Sequence, residues 1–189
     1  MEKKRCNWYN INNNQEYLDY HDNEWCIENH DDSYLFELLI LELFHCGLSF
    51  NLIIKKREAF RDAFDNFDYH KIANYDESKI IELMNNKNIV RNKLKILSTI
   101  NNAKCFIKVQ KEFGSFDQYI WSFTNNKVVV SKDDALITSN ELSDKVSEDL
   151  KKRGFKFLKT VTVFSYLESI GVMNNHKSYC FKKNEVNYE

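Results

Sequence analysis

Residues 17–25 bring together side chains that could do chemistry: two tyrosines, a histidine, a tryptophan and three acidic residues. A histidine flanked by carboxylates is typical of a metal ligand with hydrogen-bond support, or of a proton-transfer site. The aromatic rings offer flat surfaces for a flat ligand. A surface turn with buried aromatics would show the same pattern, so the segment alone leaves these interpretations open.

Further candidate metal ligands lie near both ends of the chain. His176 and Cys180 are four residues apart and would face the same way on a helical turn, while Cys6 and His21 lie near the other end. Two cysteines and two histidines fit a tetrahedral zinc ion, and a site with four protein ligands is structural. The spacing is not a stand-alone zinc signature, so scattered thiols and surface imidazoles remain the alternative.

Composition predicts a helical protein with a sizeable core. Apolar residues make up 43% of the 189-residue chain and aromatics 14%, which excludes a disordered chain and fits a single domain over residues 1–189. Proline is absent and glycine occurs only four times, too few for the many tight turns of a sandwich or barrel. The net charge of -1 means that any nucleic-acid site must be a local patch.

The sequence also predicts where the protein works. No apolar run reaches the roughly 18 residues of a membrane span, and the N-terminus leads into polar sequence, not a secretory signal. We therefore expect a cytoplasmic protein with no membrane partner. In that compartment the five cysteines are expected to be thiols or metal ligands instead of disulfides.

The element that would position a pocket is an apolar helix predicted over residues 34–46. Glu42 lies in its run of Leu, Ile and Phe, where a lone carboxylate is costly unless it is paired. It could lie on the wet side of the helix, or bond a neighbouring backbone group. Alternatively, it lines a pocket and meets a ligand that is cationic or donates protons.

Capping and turn residues predict the other helices. We expect them at about residues 49–67, with the basic cluster 55–57 on a solvated face, after Asp68, after Asp76, and at residues 89–113 and 116–123. Residues 124–137 are predicted as a loop that could hold a short strand at 128–130, with no obvious partner. The tail from Val172 is expected to be polar and irregular, including the segment 181–189.

A basic helical hairpin is predicted near the C-terminus. The stretch 138–141 fits a capping box that begins a helix running to Gly154, and a second helix follows over residues 160–169. Unpaired amides at the hairpin and at the start of the second helix would point to where a phosphate can sit. Five basic residues would supply charge there: Lys151, Lys152, Arg153, Lys156 and Lys159. An ordinary helical hairpin with a solvated basic end is the alternative.

Short motifs in a fixed order carry a resemblance that runs from about residue 5 to 180. They are Arg5-Cys6-x-Trp8, Tyr20-His21-Asp22-Asn23-Glu24-Trp25, Leu41-Glu42, Gly47-Leu48-Ser49, Lys55-Lys56-Arg57-Glu58, Ile89-Val90-Arg91-Asn92-Lys93, Trp121-Ser122-Phe123, Lys152-Arg153-Gly154-Phe155-Lys156-Phe157-Leu158, and His176 with Cys180. With these motifs the chain resembles the bacterial DNA-3-methyladenine glycosylase I family.

The resemblance implies an all-α helix-hairpin-helix DNA glycosylase fold whose two ends are clasped by one structural zinc ion held by Cys6, His21, His176 and Cys180. It implies a bacterial enzyme, expected to be a monomer, that acts on alkylated double-stranded DNA of the chromosome. The reaction would be hydrolysis of the N-glycosidic bond of 3-methyladenine, with the damaged nucleotide flipped out of the stack.

The resemblance also assigns roles to individual residues. Glu42 would contact the flipped base, inside an aromatic slot formed by Trp8, Tyr20, Trp25 and Phe50. The base departs neutral from a cationic nucleoside, so we expect little need for acid catalysis or for a strong general base. The activation of the attacking water is unassigned. Leu48 would fill the gap left by the flipped base. Independently of the resemblance, the basic charge of the hairpin predicts that Lys152, Arg153, Lys156 and Lys159 contact DNA.

Four residues depart from the family pattern. Phe50 stands where the family usually has Trp, Leu43 and Cys46 replace smaller residues and would narrow the pocket, and Lys159 replaces a hairpin Gly. If that position needs a positive φ, Lys would be strained there. These changes support a second hypothesis, a zinc-clasped protein that binds DNA or a damaged base but has lost excision. A plain structural protein is a third.

Overall fold

A computed structural model describes residues 3–8, 11–132 and 134–185 of the chain, and the part it describes is mostly helical. The last four residues of the predicted polar tail lie outside the described residues. The α-helices are α1 (Gln15–Asn23), α2 (Asp32–His45), α3 (Phe50–Lys55), α4 (Arg57–Ala63), α5 (Tyr69–Ile72), α6 (Glu77–Asn85), α7 (Lys93–Phe113), α8 (Phe116–Ser122), α9 (Glu141–Lys152) and α10 (Thr160–Ser169). None of these helices is long and apolar enough to cross a membrane.

Helix α2 forms the centre of the core, as its apolar sequence predicts. Asp31 caps its first turn by accepting from the backbone N–H groups of Ser33 and Tyr34. Every residue from 35 to 44 is buried. The ring of Phe36 packs edge-on against Phe106 of α7, with 5.1 Å between the ring centroids. The core therefore fixes the position of every side chain on α2, including Glu42.

The helix predicted over residues 49–67 is wrong in two respects. The chain breaks into α3 and α4 at Lys56, and a 3₁₀ turn at Asp65–Phe67 follows. Arg57 does not lie on a solvated face. It is buried at 7% exposure, and its guanidinium donates to the carboxylates of Glu24 and Glu37. Arg57 is buried because it forms ion pairs with Glu24 and Glu37. The local sequence around residue 57 does not reveal these pairs.

Two predicted helix starts are corrected by their caps. Helix α7 begins at Lys93 and not at residue 89, because Asn92 accepts from the backbone N–H of Lys95. Helix α9 does not begin with a capping box at residues 138–141. Its cap is Asn140, whose side chain accepts from the backbone N–H of Ser143. The hydroxyl of Ser143 in turn accepts from the backbone N–H of Asn140.

The loop and the tail, both predicted as irregular, pair with each other. Strand β1 (Val129–Val130) runs parallel to β2 (Met173–Asn174), so the strand without an obvious partner finds one in the tail. Lys177 continues this attachment by donating from Nζ to the carbonyl of Asp134. The tail is therefore ordered by contacts with a segment distant in sequence.

Gly171, which ends α10, allows a close approach that no other residue would permit. Its φ is +79°, and a Cβ atom placed there would lie 2.3 Å from the backbone of Ile27. The end of α10 consequently lies directly against the segment that follows Trp25. This contact brings the tail next to α1.

The predicted helical hairpin is present between α9 and α10. Two side chains of α7 hold it: Asn101 donates to the carbonyl of Gly154, and Asn102 both donates to and accepts from the backbone of Lys156. Gly154, at φ +90°, makes the turn. The hairpin is thus fixed by α7.

Candidate active site and metal cluster

A cavity of about 330 Å³ opens between α1, α2, α3 and α10. Aromatic rings form much of its wall, and the five residues that the sequence predicts for a base pocket all line it: Trp8, Tyr20, Trp25, Glu42 and Phe50. The loop at 135–138 and the first turns of α10 close the other side. The structure therefore brings together residues separated by more than a hundred positions.

Glu42 lies at the bottom of this cavity with only 2% of its surface exposed. Its Oε2 accepts from Nδ1 of His45 at 3.0 Å, and its Oε1 accepts from the hydroxyl of Ser169 at 2.8 Å. Glu42 is buried, so it does not lie on the wet side of α2, and its hydrogen bonds to described residues go to side chains and not to a backbone group. A carboxylate has about four acceptor positions, so Glu42 can still accept from a ligand.

Tyr20 offers the cavity a donor. Its ring is 1% exposed, and its hydroxyl has no hydrogen-bond partner among the described residues. Burial holds the pKa of Tyr20 well above its usual range, so the hydroxyl keeps its proton. A buried polar atom without a partner is costly in a folded protein and is often completed by a ligand.

Trp8 organises the aromatic wall. Its ring centroid is 4.6 Å from that of Trp25 in an edge-to-face arrangement and 4.9 Å from that of Tyr17. On the other side, Tyr20 packs against Phe50 at 5.2 Å. These ring pairs are in direct contact with one another, and the faces that they turn to the cavity suit a flat, partly cationic ligand.

The sequence prediction missed an imidazole and a second carboxyl group that line the cavity. His45 lines it one helical turn after Glu42, and a spacing of three residues on α2 could have revealed it. Glu168 of α10 lines it as well, and its Oε1 accepts from the amide of Asn175. Burial, and to a smaller extent the Glu42 carboxylate, raise the pKa of Glu168 to about 8. No local pattern marks Glu168.

Glu168 gives folding stability a pH dependence of defined sign. Because its pKa rises from 4.5 to about 8 on folding, the folded chain holds a proton that the unfolded chain has lost. This stabilisation is complete below pH 4.5 and is lost as the pH rises through 8. In urea titrations from about pH 5 to about pH 9, Glu168→Gln should weaken the loss of stability with rising pH. Glu148→Gln, at an exposed site on α9, should keep the wild-type profile; an unchanged profile in Glu168→Gln would contradict the assignment.

The four predicted metal ligands form one buried cluster. Their ligand atoms all lie within 4.8 Å of one another, although the residues come from both ends of the chain. Nδ1 of His176 is 3.5 Å from Sγ of Cys6 and 3.6 Å from Sγ of Cys180, and Nε2 of His21 is 3.7 Å from Sγ of Cys180. These distances between ligand atoms are compatible with a tetrahedral zinc site that has sulfur and nitrogen ligands.

Hydrogen bonds fix the ring orientation of both histidines of the cluster. Nδ1 of His21 donates to Asp22 at 2.8 Å, and Nε2 of His176 donates to the carbonyl of Trp25 at 3.2 Å. The remaining nitrogen of each ring therefore directs its lone pair into the cluster. Burial lowers the pKa of His176 to about 3, which keeps this imidazole neutral. Arg5 in turn holds Asp22 through a bidentate pair.

The cluster and the cavity share a wall. The ring of Trp8 meets that of His21 edge-on at 4.8 Å, and Trp25 meets His176 at 4.6 Å. A group that holds the cluster together would therefore also hold the two tryptophans of the cavity.

The predicted DNA-contacting residues lie on two neighbouring turns. Leu48 is 38% exposed in the turn after α2, and Cys46 of that turn meets Thr162 of α10, with 3.2 Å between Sγ and Oγ1. Lys152, Lys156 and Lys159 are exposed on the hairpin. Arg153 differs, because its guanidinium pairs with Glu112 and Asp149 and lies over two aromatic rings.

The departures from the family pattern have small structural consequences. Lys159 has a φ of -74°, so its side chain causes no backbone strain. Leu43 and Cys46 do not line the cavity in the described part of the chain. The expected narrowing of the pocket by these two residues is thus not seen. Phe50 keeps an aromatic ring in the wall.

A helical hairpin beside a deep aromatic cavity with a buried acid is the arrangement of a helix-hairpin-helix DNA glycosylase. Comparison with known proteins narrows this class. A family model described as methyladenine glycosylase matches residues 8–183, and the chain belongs to this family.

Relatives cover almost the whole chain. DNA-3-methyladenine glycosylase 1 of Escherichia coli (strain K12) is 36% identical over 180 residues, which span 94% of this chain and 95% of that protein. A tyrosine-to-phenylalanine variant of a 3-methyladenine DNA glycosylase I bound to 3-methyladenine superposes with a TM-score of 0.88, at 37% identity over 92% of this chain and 94% of the other. The Staphylococcus aureus 3-methyladenine DNA glycosylase I gives a TM-score of 0.87, at 38% identity, with 91% and 93% covered.

Proposed function

We propose that this protein is a base-excision repair enzyme that hydrolyses the N-glycosidic bond of 3-methyladenine in alkylated double-stranded DNA. The observation that carries the proposal is that the buried Glu42 and Tyr20 both line an aromatic cavity, where the Tyr20 hydroxyl has no hydrogen-bond partner within the described part of the chain. A cavity of about 330 Å³ is large enough for a single purine base. The nucleotide must therefore leave the stack to enter it.

The charges of the cavity suit this lesion. The nucleoside of 3-methyladenine is cationic, and the aromatic faces of Trp8 and Trp25 attract a cation. Glu42 accepts from donors on the purine edge, while Tyr20 donates to an acceptor nitrogen. Adenine in normal DNA is neutral and is held in the duplex by pairing and stacking. It therefore gains less binding free energy from the same cavity residues.

We propose that the DNA lies across the hairpin and the turn after α2. Lys159 at the start of α10 provides no side-chain cap, so the first amides of that helix can bind a phosphate. Lys152, Lys156 and Lys159 add charge, and Leu48 fills the space left by the flipped base. Arg153 is left out, because its pairing with Glu112 and Asp149 gives it a structural role.

Lys156→Ala tests the phosphate contact. Removing one phosphate contact should weaken binding of duplex DNA and lower the slope of log K against log salt by about 1. The measurement is fluorescence anisotropy with a labelled duplex at several salt concentrations. Lys71→Ala, at an exposed site on α5, is the control and should keep the wild-type slope. An unchanged slope in Lys156→Ala would argue against the contact.

We also propose that the four-residue cluster holds one structural zinc ion that clasps the two ends of the chain. Cys6, Cys180, His21 and His176 provide two thiolates and two neutral imidazoles, a donor set that zinc prefers. With four protein ligands no position is open for substrate, so the ion would take no part in the reaction. Its effect on the cavity is indirect, through the shared tryptophan wall.

The proposal is tested by incubating the purified protein with duplex DNA treated with a methylating agent. Chromatography should detect free 3-methyladenine, and the DNA should gain an equal number of abasic sites. Tight binding to methylated DNA without release at micromolar enzyme would instead favour a protein that has lost excision. The positions of Leu43, Cys46 and Lys159 give no structural support to that alternative. We expect the enzyme to act as a monomer in the cytoplasm.

A further inference from the structure

His45 is hydrogen-bonded to Glu42, but the proposed contact between Glu42 and the base gives His45 no role of its own. Nδ1 of His45 is 3.0 Å from Oε2 of Glu42. A carboxylate oxygen can only accept, so Nδ1 carries the proton of the neutral ring. The second ring nitrogen, Nε2, then holds the lone pair.

The ring of His45 contacts the Glu42 carboxylate and also lines the cavity. Its side chain is 32% exposed and lines the cavity, and its centroid is 5.2 Å from the ring of Phe50. Nε2 makes no hydrogen bond to another described residue. A water molecule that enters with the flipped nucleotide can therefore reach this nitrogen.

We propose that His45 is a catalytic residue, the general base that deprotonates the attacking water. The inference rests on the proposed glycosylase function and supplies the water activation that the sequence leaves unassigned. In general, an imidazole whose Nδ1–H is held by a carboxylate is oriented and stabilised as it takes up a proton. Glu42 would therefore act twice, accepting from the base and holding His45.

The water oxygen bonds to C1′ of the flipped deoxyribose while the bond between C1′ and N9 of the purine breaks. The electron pair of that bond moves into the base and neutralises its positive charge. One proton of the water passes to Nε2 of His45, and the resulting imidazolium, paired with Glu42, releases it to solvent. The products are 3-methyladenine and an abasic sugar with a hydroxyl at C1′.

Glu168 is a second candidate base in the cavity, and the geometry favours His45. The carboxyl of Glu168 accepts from the amide of Asn175, and no carboxylate of another described residue is hydrogen-bonded to it. Burial raises its pKa to about 8, which leaves it mainly protonated near neutral pH. A protonated carboxyl cannot accept a proton from water.

The test measures single-turnover release of 3-methyladenine from methylated duplex DNA by His45→Ala, with and without sodium azide. We expect the rate to fall by about 100-fold or more. Azide is an anion that needs no deprotonation, so it should restore release and leave an azido group at C1′. His45→Gln, which can still donate to Glu42 but cannot take up a proton, should lose activity similarly. Both variants should still bind free 3-methyladenine, followed by fluorescence of Trp8 and Trp25.

The outcomes separate this inference from the proposed function. Absence of release by the wild type would refute the glycosylase itself. With an active wild type, a His45→Ala rate within about threefold of normal, or a loss that azide does not relieve, would overturn the role of His45. His70→Ala, at an exposed site on α5, is the matched control and should keep the wild-type rate.

Discussion

Glu42→Gln is expected to lower kcat/KM for release of 3-methyladenine by about two orders of magnitude. A hydrogen bond to a charged group contributes about 1.5–3 kcal/mol, which corresponds to roughly 10- to 150-fold in rate if it is made in the transition state. Glutamine keeps the shape of the side chain but removes the negative charge and presents an amide donor. Glu42 also accepts from His45, so the same change disturbs the orientation of that ring.

The measurement is single-turnover release of free base, with urea unfolding to verify that the variant folds. Glu148→Gln removes one charge from an exposed position on α9 and should keep wild-type activity. Normal release by Glu42→Gln would remove Glu42 from the proposed site. A variant that fails to fold would be replaced by Glu42→Asp, which keeps the charge but shortens the side chain, and which should be active at a reduced rate.

Loss of the proposed zinc ion is expected to have the largest effect on stability. Cys180→Ser exchanges a thiolate for a hydroxyl that binds zinc poorly, so the variant should lose its metal and about 3 kcal/mol or more of its free energy of unfolding. The reason is that the four ligands come from both ends of the chain and meet in one buried cluster. The cavity should loosen as well, because Trp8 and Trp25 pack on the two histidines.

Metal analysis of the purified protein should give about one zinc per chain in the wild type and none in Cys180→Ser. The control is Cys105→Ser, which changes another buried thiol outside the cluster and should keep both the metal and most of the stability. A wild-type protein that is metal-free and equally stable after treatment with a chelator would contradict a structural zinc.

Local signals predicted much of the helical framework. Ser49, Asp68, Asp76 and Ser115 each cap a helix as expected, because a short polar side chain before an apolar run acts within three residues. The apolar run of α2 predicted its burial. Residues 138–143 offer two possible capping boxes. The sequence did not show that the one between Asn140 and Ser143 would form instead of the one at 138–141.

Outside the residues of the family motifs, contacts between distant segments were not predictable. Arg57 is buried only because Glu24 and Glu37 meet it, and β1 is a strand only because residues 173–174 pair with it. The cavity contains one carboxylate that was predictable from the sequence and one that was not. Glu42 could be singled out because a carboxylate in an apolar helix needs a partner, whereas Glu168 enters the cavity through the packing of α10, which no local pattern reveals.

The central claim is that the flipped base is held in the aromatic cavity by Glu42. A crystal structure of the protein soaked with 3-methyladenine tests it most directly. The base should lie in the cavity between the rings of its wall, with a ring or exocyclic nitrogen about 3 Å from a carboxylate oxygen of Glu42 and another polar atom near the Tyr20 hydroxyl. A base bound elsewhere, or one in the cavity that leaves Glu42 bonded only to His45 and Ser169, would contradict the claim.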